Sequence, residues 1–248
     1  MKRNRAGAKR VGAAGAGARG PGPSLQEALA VLGEGCSLLV TGDVPTDAHR
    51  VAAARYFGNP SNERRRVLGL THDTPRPDAW LPGAVNGEDD HAEIVCMDDA
   101  LRDPAAVDES PAGDGGFSPG VDDSFRRRFL EAIVDVGDEE GPDGMALRVG
   151  LFRVDGLRAA LGAEDAGRLL RDAATTTRER GGMAHFHLPR RPAEEGDPRS
   201  DSTVDAVATQ LGEQLDVVVE LRLRDRAVVP EERWHIDGWG STDWHPLG

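Results

Sequence analysis

The chain has 248 residues, a formal net charge of −13 and two cysteines. That length buries a substantial core and fits one α/β domain with loops. The charge is uneven: Lys2, Arg3, Arg5, Lys9, Arg10 and Arg19 place +6 in residues 1–23, which leaves −19 on the remainder. So acidic a body opposes general phosphate-backbone binding, which depends on clustered Lys and Arg, and nucleic acid is therefore not an expected partner. Lys2 and Lys9 are the only lysines. An acidic, Arg- and Ala-rich body fits a high-salt cytoplasm, where carboxylates hold water at the surface; codon bias is the competing origin of the same pattern.

No run approaches the ~18 apolar residues of a membrane helix. The basic N-terminus also lacks the apolar core of a signal peptide. A cytoplasmic location without a membrane partner is expected. Residues 1–23, rich in Gly, Ala and Arg with Pro21 and Pro23, read as a disordered arm. Residues 24–248 read as a single domain. Ser24 and Glu27 form a capping-box pattern ahead of Leu29, Val31 and Leu32. Cys36–Thr41 is an apolar strand, Gly42 a turn, and 46–57 a helix stopped by Gly58-Asn59-Pro60.

Arg64-Arg65-Arg66 leads into a second strand at 67–71, and the triple Arg reads either as a solvated strand entry or as an anion site. A third strand is expected at 93–97, ending in Asp98-Asp99. Residues 103–123 and 137–144 read as acidic loops. Between them Phe125, Phe129, Ile133 and Val136 repeat at helical spacing. A strand over 147–154 ends in Asp155, and a helix over 157–180 breaks near Gly162. A strand follows at 183–188, and then a helix capped by Asp201 or Ser202. The chain closes with a strand at 217–223 and a hairpin into 233–236. Alternating strands and helices with a terminal hairpin predict a mainly parallel sheet flanked by helices on both faces.

Cys36 and Cys96 lie in apolar runs without a second cysteine at ligand spacing, so two buried thiols are expected rather than a metal centre. His185 and His187 alternate on one strand and share a face; packed, hydrogen-bonded residues are expected, with a metal pair as the alternative. Trp234, Trp239 and Trp244 read as an apolar clasp over the sheet, or as an interaction patch. A receiver-type signalling domain could use Asp43 and Asp98, but it needs a lysine that the body lacks.

The ordered series of a strand–loop–helix at 37–57, a strand ending at Asp155, a helix into Gly181–Pro189, and a close over 215–236 resembles the ATPase core of RecA-like proteins. The resemblance extends especially to the KaiC-like branch, through Leu215-Asp216-Val217-Val218-Val219-Glu220-Leu221. The resemblance spans about 25–237 and points to haloarchaeal, transducer-like members with altered Walker motifs. It implies a RecA-like core with a C-terminal β hairpin, for which ATP and Mg²⁺ are the ligands. In the pattern G-x-x-x-x-G-K-[ST], Gly42 keeps the first glycine. Asp47 stands at the second glycine, Ala48 at the lysine and His49 at the Mg²⁺ hydroxyl. Asp155 falls at the Walker B acid, and Asp98 and Asp99 are nearest to the catalytic glutamate. Gly42 and Asp155 are thus the candidate remnant of a nucleotide site.

Carboxylates at 43 and 47 oppose phosphate, since two unit charges ~4 Å apart repel by about 4 kcal/mol at an effective dielectric of 20. No catalytic residue, metal or bound cofactor is therefore expected. A non-catalytic regulatory or scaffold module follows, with a protein partner or self-association as its interactions. The alternatives are a divergent ATPase using Asp155 and Arg side chains, or a signalling module paired with a transducer or kinase.

Overall fold

The computed structural model describes residues 35–62, 64–72, 74–83, 85–97, 121–138, 147–192 and 194–247. The expected arm, the Ser24 helix, Asp98, Asp99 and most of the acidic stretches lie outside the described residues. Strand β1 (Cys36–Thr41) enters α1 (Thr46–Phe57), which returns to β2 (Arg66–Leu70). A short 3-10 turn (Pro77–Trp80) precedes β3 (Ala92–Cys96), and α2 (Val121–Asp138) precedes β4 (Arg148–Phe152). Helices α3 (Val154–Leu161) and α4 (Ala163–Glu179) lead to β5 (Met183–Leu188), and α5 (Ser202–Leu211) to β6 (Val217–Arg222). The antiparallel pieces β7 (Glu231–Ile236), β8 (Gly240–Ser241) and β9 (His245–Pro246) close the chain.

The sheet runs β3-β2-β4-β5-β1-β6-β7-β8, with β9 also on β7. Every pairing from β3 to β6 is parallel, and β7 is antiparallel to β6. Because both faces are covered, β1, β2 and most of β4 to β6 are buried along their length, which is why they read as near-continuous apolar runs. Alternation sorts the side chains. Leu39, Val67, Val149, Leu151 and Phe186 pack under α2 to α5. Leu38, Val40, Leu68 and Leu70 pack on the opposite face with Ala52, Ala53, Tyr56 and Phe57 of α1. Phe125, Phe129, Ile133 and Val136 are buried, as their spacing requires.

Several boundaries move. α2 begins at Val121 and runs to Asp138, into both stretches read as acidic loops, so acidic composition there does not end the helix. β4 ends at Phe152, and Asp155 belongs to the first turn of α3. Cys36 is buried and free, its thiol pushed up to about 11 by burial and by Asp216. Cys96, on the edge strand, is only half-buried. The tryptophans do not form one clasp: Trp234 is buried in the core, Trp244 lies under the guanidiniums of Arg222 and Arg233 at 3.8 and 4.4 Å, and Trp239 is exposed. Among the described residues, no helix is long and apolar enough to cross a membrane.

Candidate functional site

β1 lies between β5 and β6, the point where the chain has built the sheet outward on one side and returns to build it on the other. In open α/β sheets the crevice beyond the strand carboxyl ends at such a point is where ligands bind. Gly42, α1's first turn, and the segment after β4 meet there. Gly42 is held at φ 139°, and a Cβ on it would fall 2.3 Å from the Leu221 carbonyl oxygen, so β1 turns tightly against β6 with no room for a side chain.

The start of α1 offers little to a phosphate. Pro45 precedes the helix and has no N–H, no side chain caps the helix, and the Ala48 N–H is spent on the Pro45 carbonyl at 2.9 Å. Asp47 is exposed and pairs with Arg50 at 3.0 Å, while exposed Asp43 lies 4.0 Å from Arg191. Ala48 is buried. An open cavity of about 290 Å³ adjoins this turn, lined by Thr46, Arg50, His72, Thr74 and Arg76 over Trp80. The Trp80 ring lies 3.9 Å from that of Phe152.

His49 turns inward and is fully buried. Its Nε2 meets the Gly42 carbonyl at 3.4 Å and its Nδ1 meets His187 Nδ1 at 3.2 Å. His187 Nε2 in turn meets His185 Nδ1 at 3.0 Å. A carbonyl only accepts, so His49 carries its proton on Nε2. His187 then donates from Nδ1 to His49, and His185 donates from Nδ1 to His187. All three rings are neutral in this chain, and its far end, His185 Nε2, is buried without a hydrogen-bond partner. Burial dominates their titration. It lowers His49 to about 4 and His185 to about 3, with Arg148 adding to the latter, and it holds His187 well below the usual imidazole range.

The two bonds of His187 use its opposite nitrogens, so the three rings form a wire rather than a chelate. Among the described residues no group of three His, Cys, Asp or Glu side chains converges as a metal site. Room for the wire comes from Gly150: a Cβ there would lie 2.5 Å from His185 Cε1 and 2.6 Å from Phe57 Cζ.

Asp155 is engaged locally. Arg153 donates to it from Nε at 3.0 Å and from Nη2 at 2.5 Å, a bidentate pair. Arg153 itself is tied to β2 through Thr71, whose hydroxyl accepts from the Arg153 N–H and donates to its carbonyl. Sequence reasoning placed His185 and His187 on one face and expected them to be hydrogen-bonded, and they are. It missed their connection to His49, and it missed Tyr56, whose hydroxyl donates to the buried Glu232 carboxylate at 2.5 Å and ties α1 to β7. Helical spacing did not reveal it: the spacing through Val51 points to a face that leaves Val51 exposed, whereas Tyr56 is buried.

The sequence profile of the family of unknown function DUF7504 matches residues 35–221. The chain belongs to this DUF7504 family. No curated protein matches it. Among solved structures, a KaiC-like protein of the hyperthermophilic archaeon Pyrococcus horikoshii OT3 superposes with a TM-score of 0.50 at 12% identity, covering 85% of this chain and 84% of its own. At that identity the likeness concerns fold alone: this DUF7504 member has a RecA/KaiC-like α/β core.

Proposed function

We propose that this DUF7504 protein is a non-catalytic RecA/KaiC-like module, a regulator or scaffold in the cytoplasm of a halophilic archaeon, built on a nucleotide fold that no longer takes nucleotide. The observation that carries this reading is His49. At the position where the resemblance calls for a hydroxyl on Mg²⁺, its imidazole is buried, neutral and bonded to the Gly42 carbonyl and His187. Ala48 supplies no ammonium, Pro45 supplies no N–H, and the Asp43 and Asp47 carboxylates stand at the mouth beside Arg191 and Arg50, which they already engage. Asp155, which the resemblance sets at the Walker B acid, lies instead in the first turn of α3 and is paired with Arg153. The acidic, lysine-poor body supports the halophilic setting.

Calorimetric titration of the full chain with ATP and GTP, each with Mg²⁺ in molar KCl, tests the reading. The expected result is no saturable heat up to millimolar nucleotide. Micromolar affinity with Mg²⁺-dependent turnover would overturn it.

A further inference from the structure

The opposite end of the same sheet face presents the reverse chemistry. Arg66 opens β2 and is the register partner of Arg148, which opens β4. Adjacent strands lie about 4.8 Å apart, so the two side chains start side by side on the α1 face. Arg64, two residues before Arg66, packs its guanidinium on Gly58, just past the end of α1, and its carbonyl accepts from Arg66 Nη1 at 2.9 Å. The backbone N–H of Arg148 joins the same corner by donating to the Arg65 carbonyl at 2.8 Å.

Among the described residues these cations are answered by carbonyls, and Asp89 acts on Arg66 without forming an ion pair with it. Arg66 is buried and donates only to carbonyls, those of Phe57, Arg64, Asn59 and Asn62. Arg148 gives one Nη1 bond to the Leu147 carbonyl, and its buried Nε has no partner, which leaves the Nε–Nη2 edge unused. Among the described residues no ion pair reaches Arg64, Arg66 or Arg148, although the chain holds 43 acids against 30 Lys and Arg. Buried charges are ordinarily paired, because desolvation without a counter-charge costs several kcal/mol per ion. The cost registers in their titration. Burial and then Arg64 lower both Arg66 and Arg148, the latter to about 10.

We propose that Arg64, Arg66 and Arg148 form a binding site for a phosphate group at the N-terminal edge of the sheet, remote from the Gly42 turn. Arg64 and Arg148 are both partly open to solvent, while Arg66 lies beneath them as a fixed charge held by α1's last carbonyl. A tetrahedral dianion accepts from several guanidinium N–H groups at once, which chloride or a single carboxylate does not match. The inference stands independently of whether the Gly42 end binds nucleotide.

The test uses the full chain in molar KCl held constant, with inorganic phosphate and, separately, a serine-phosphorylated peptide as probes. Binding is read by ³¹P line broadening and by the rise in unfolding temperature. Saturable binding of inorganic phosphate, weakened about tenfold or more in Arg64→Ala and in Arg148→Met, supports a site for free phosphate. Saturable binding of the phosphopeptide alone, with the same loss in the variants, supports a site for a phosphomonoester. No saturable binding of either probe, or affinity unchanged in folded Arg64→Ala, overturns the proposal. Arg64→Ala removes a side chain that is only partly buried, so the test survives even if Arg148→Met fails to fold.

Discussion

On the face of the sheet covered by α1, the two ends of the strands are opposites. At the carboxyl ends, where the fold's geometry invites an anion, Asp43 and Asp47 line the mouth and three neutral imidazoles fill the interior. At the amino ends, Arg64, Arg66 and Arg148 gather with no carboxylate in an ion pair with them among the described residues. The difference teaches that one sheet face can hold its charges in pairs at one end and leave cations to carbonyls at the other. α1 itself spans the two ends: its N-terminal turn is uncapped and acidic, and its C-terminal carbonyl is capped by the Arg66 guanidinium. That placement of charge also suits the helix dipole.

The comparison can be broken most forcefully at His187. His187→Ala removes the middle of the wire, orphans polar atoms on His49 and His185, and leaves a cavity. A loss of about 3–5 kcal/mol is expected from urea unfolding in molar KCl. A loss below about 1 kcal/mol would mean the wire is not structural. Gly150→Ala should cost about 2–3 kcal/mol by forcing a methyl against His185 and Phe57. Its unfolding midpoint is the check, and a neutral result would show the wire has slack.

The pH dependence sharpens the same end. The imidazoles titrate lower in the folded chain than the ordinary 6.5, with His49 near 4 and His185 near 3. Below pH 6.5 the unfolded chain therefore binds protons that the folded chain refuses. The stabilisation is present in full above pH 6.5 and is lost as pH falls through the folded values, at up to about 1.4 kcal/mol per pH unit for each ring. Glu220 and Glu231 add a slope of the same sign only below their usual 4.5. Burial alone would raise Glu220, but hydrogen bonds from His235 and Arg233 outweigh it, and Arg222 holds Glu231 low. Glu93, raised by burial and by Asp135, gives a slope of the opposite sign above 4.5, so the histidines are read from the part of the slope between pH 7 and 5 that is lost in His187→Ala. No loss of slope in that variant would contradict the buried neutral wire. The smallest change in nucleotide binding is expected from Ala48→Lys combined with His49→Thr, measured on a variant shown by circular dichroism to be folded, since both positions are buried. The combination restores two residue types of a phosphate loop but neither an N–H at position 45 nor the second glycine at 47, so calorimetry should still show no saturable ATP heat.

Much of the architecture was legible in the chain. The apolar run of β1, the Ala-rich periodicity of α1, the alternation of β5 and the Asp201 cap of α5 are local signals, and each element formed where its pattern lay. The acidic ends of α2 misled because composition was read ahead of periodicity. The site was less legible. That Asp47, Ala48 and His49 replace a phosphate loop is visible in sequence, but His49 and His187 are 138 residues apart and their bond depends on β1 pairing with β5.

The sequence by itself determined the elements, their order and the charge imbalance, because propensity, periodicity and turn chemistry act over a few residues. Only the tertiary structure decided that β5 and β4 enter the sheet between β1 and β2. That one topological choice threads His49, His187 and His185 into a wire and sets Arg66 beside Arg148. The physical reason is that buried polar groups are answered by whatever the neighbouring strand presents, and which strand is the neighbour is settled by packing the whole sheet.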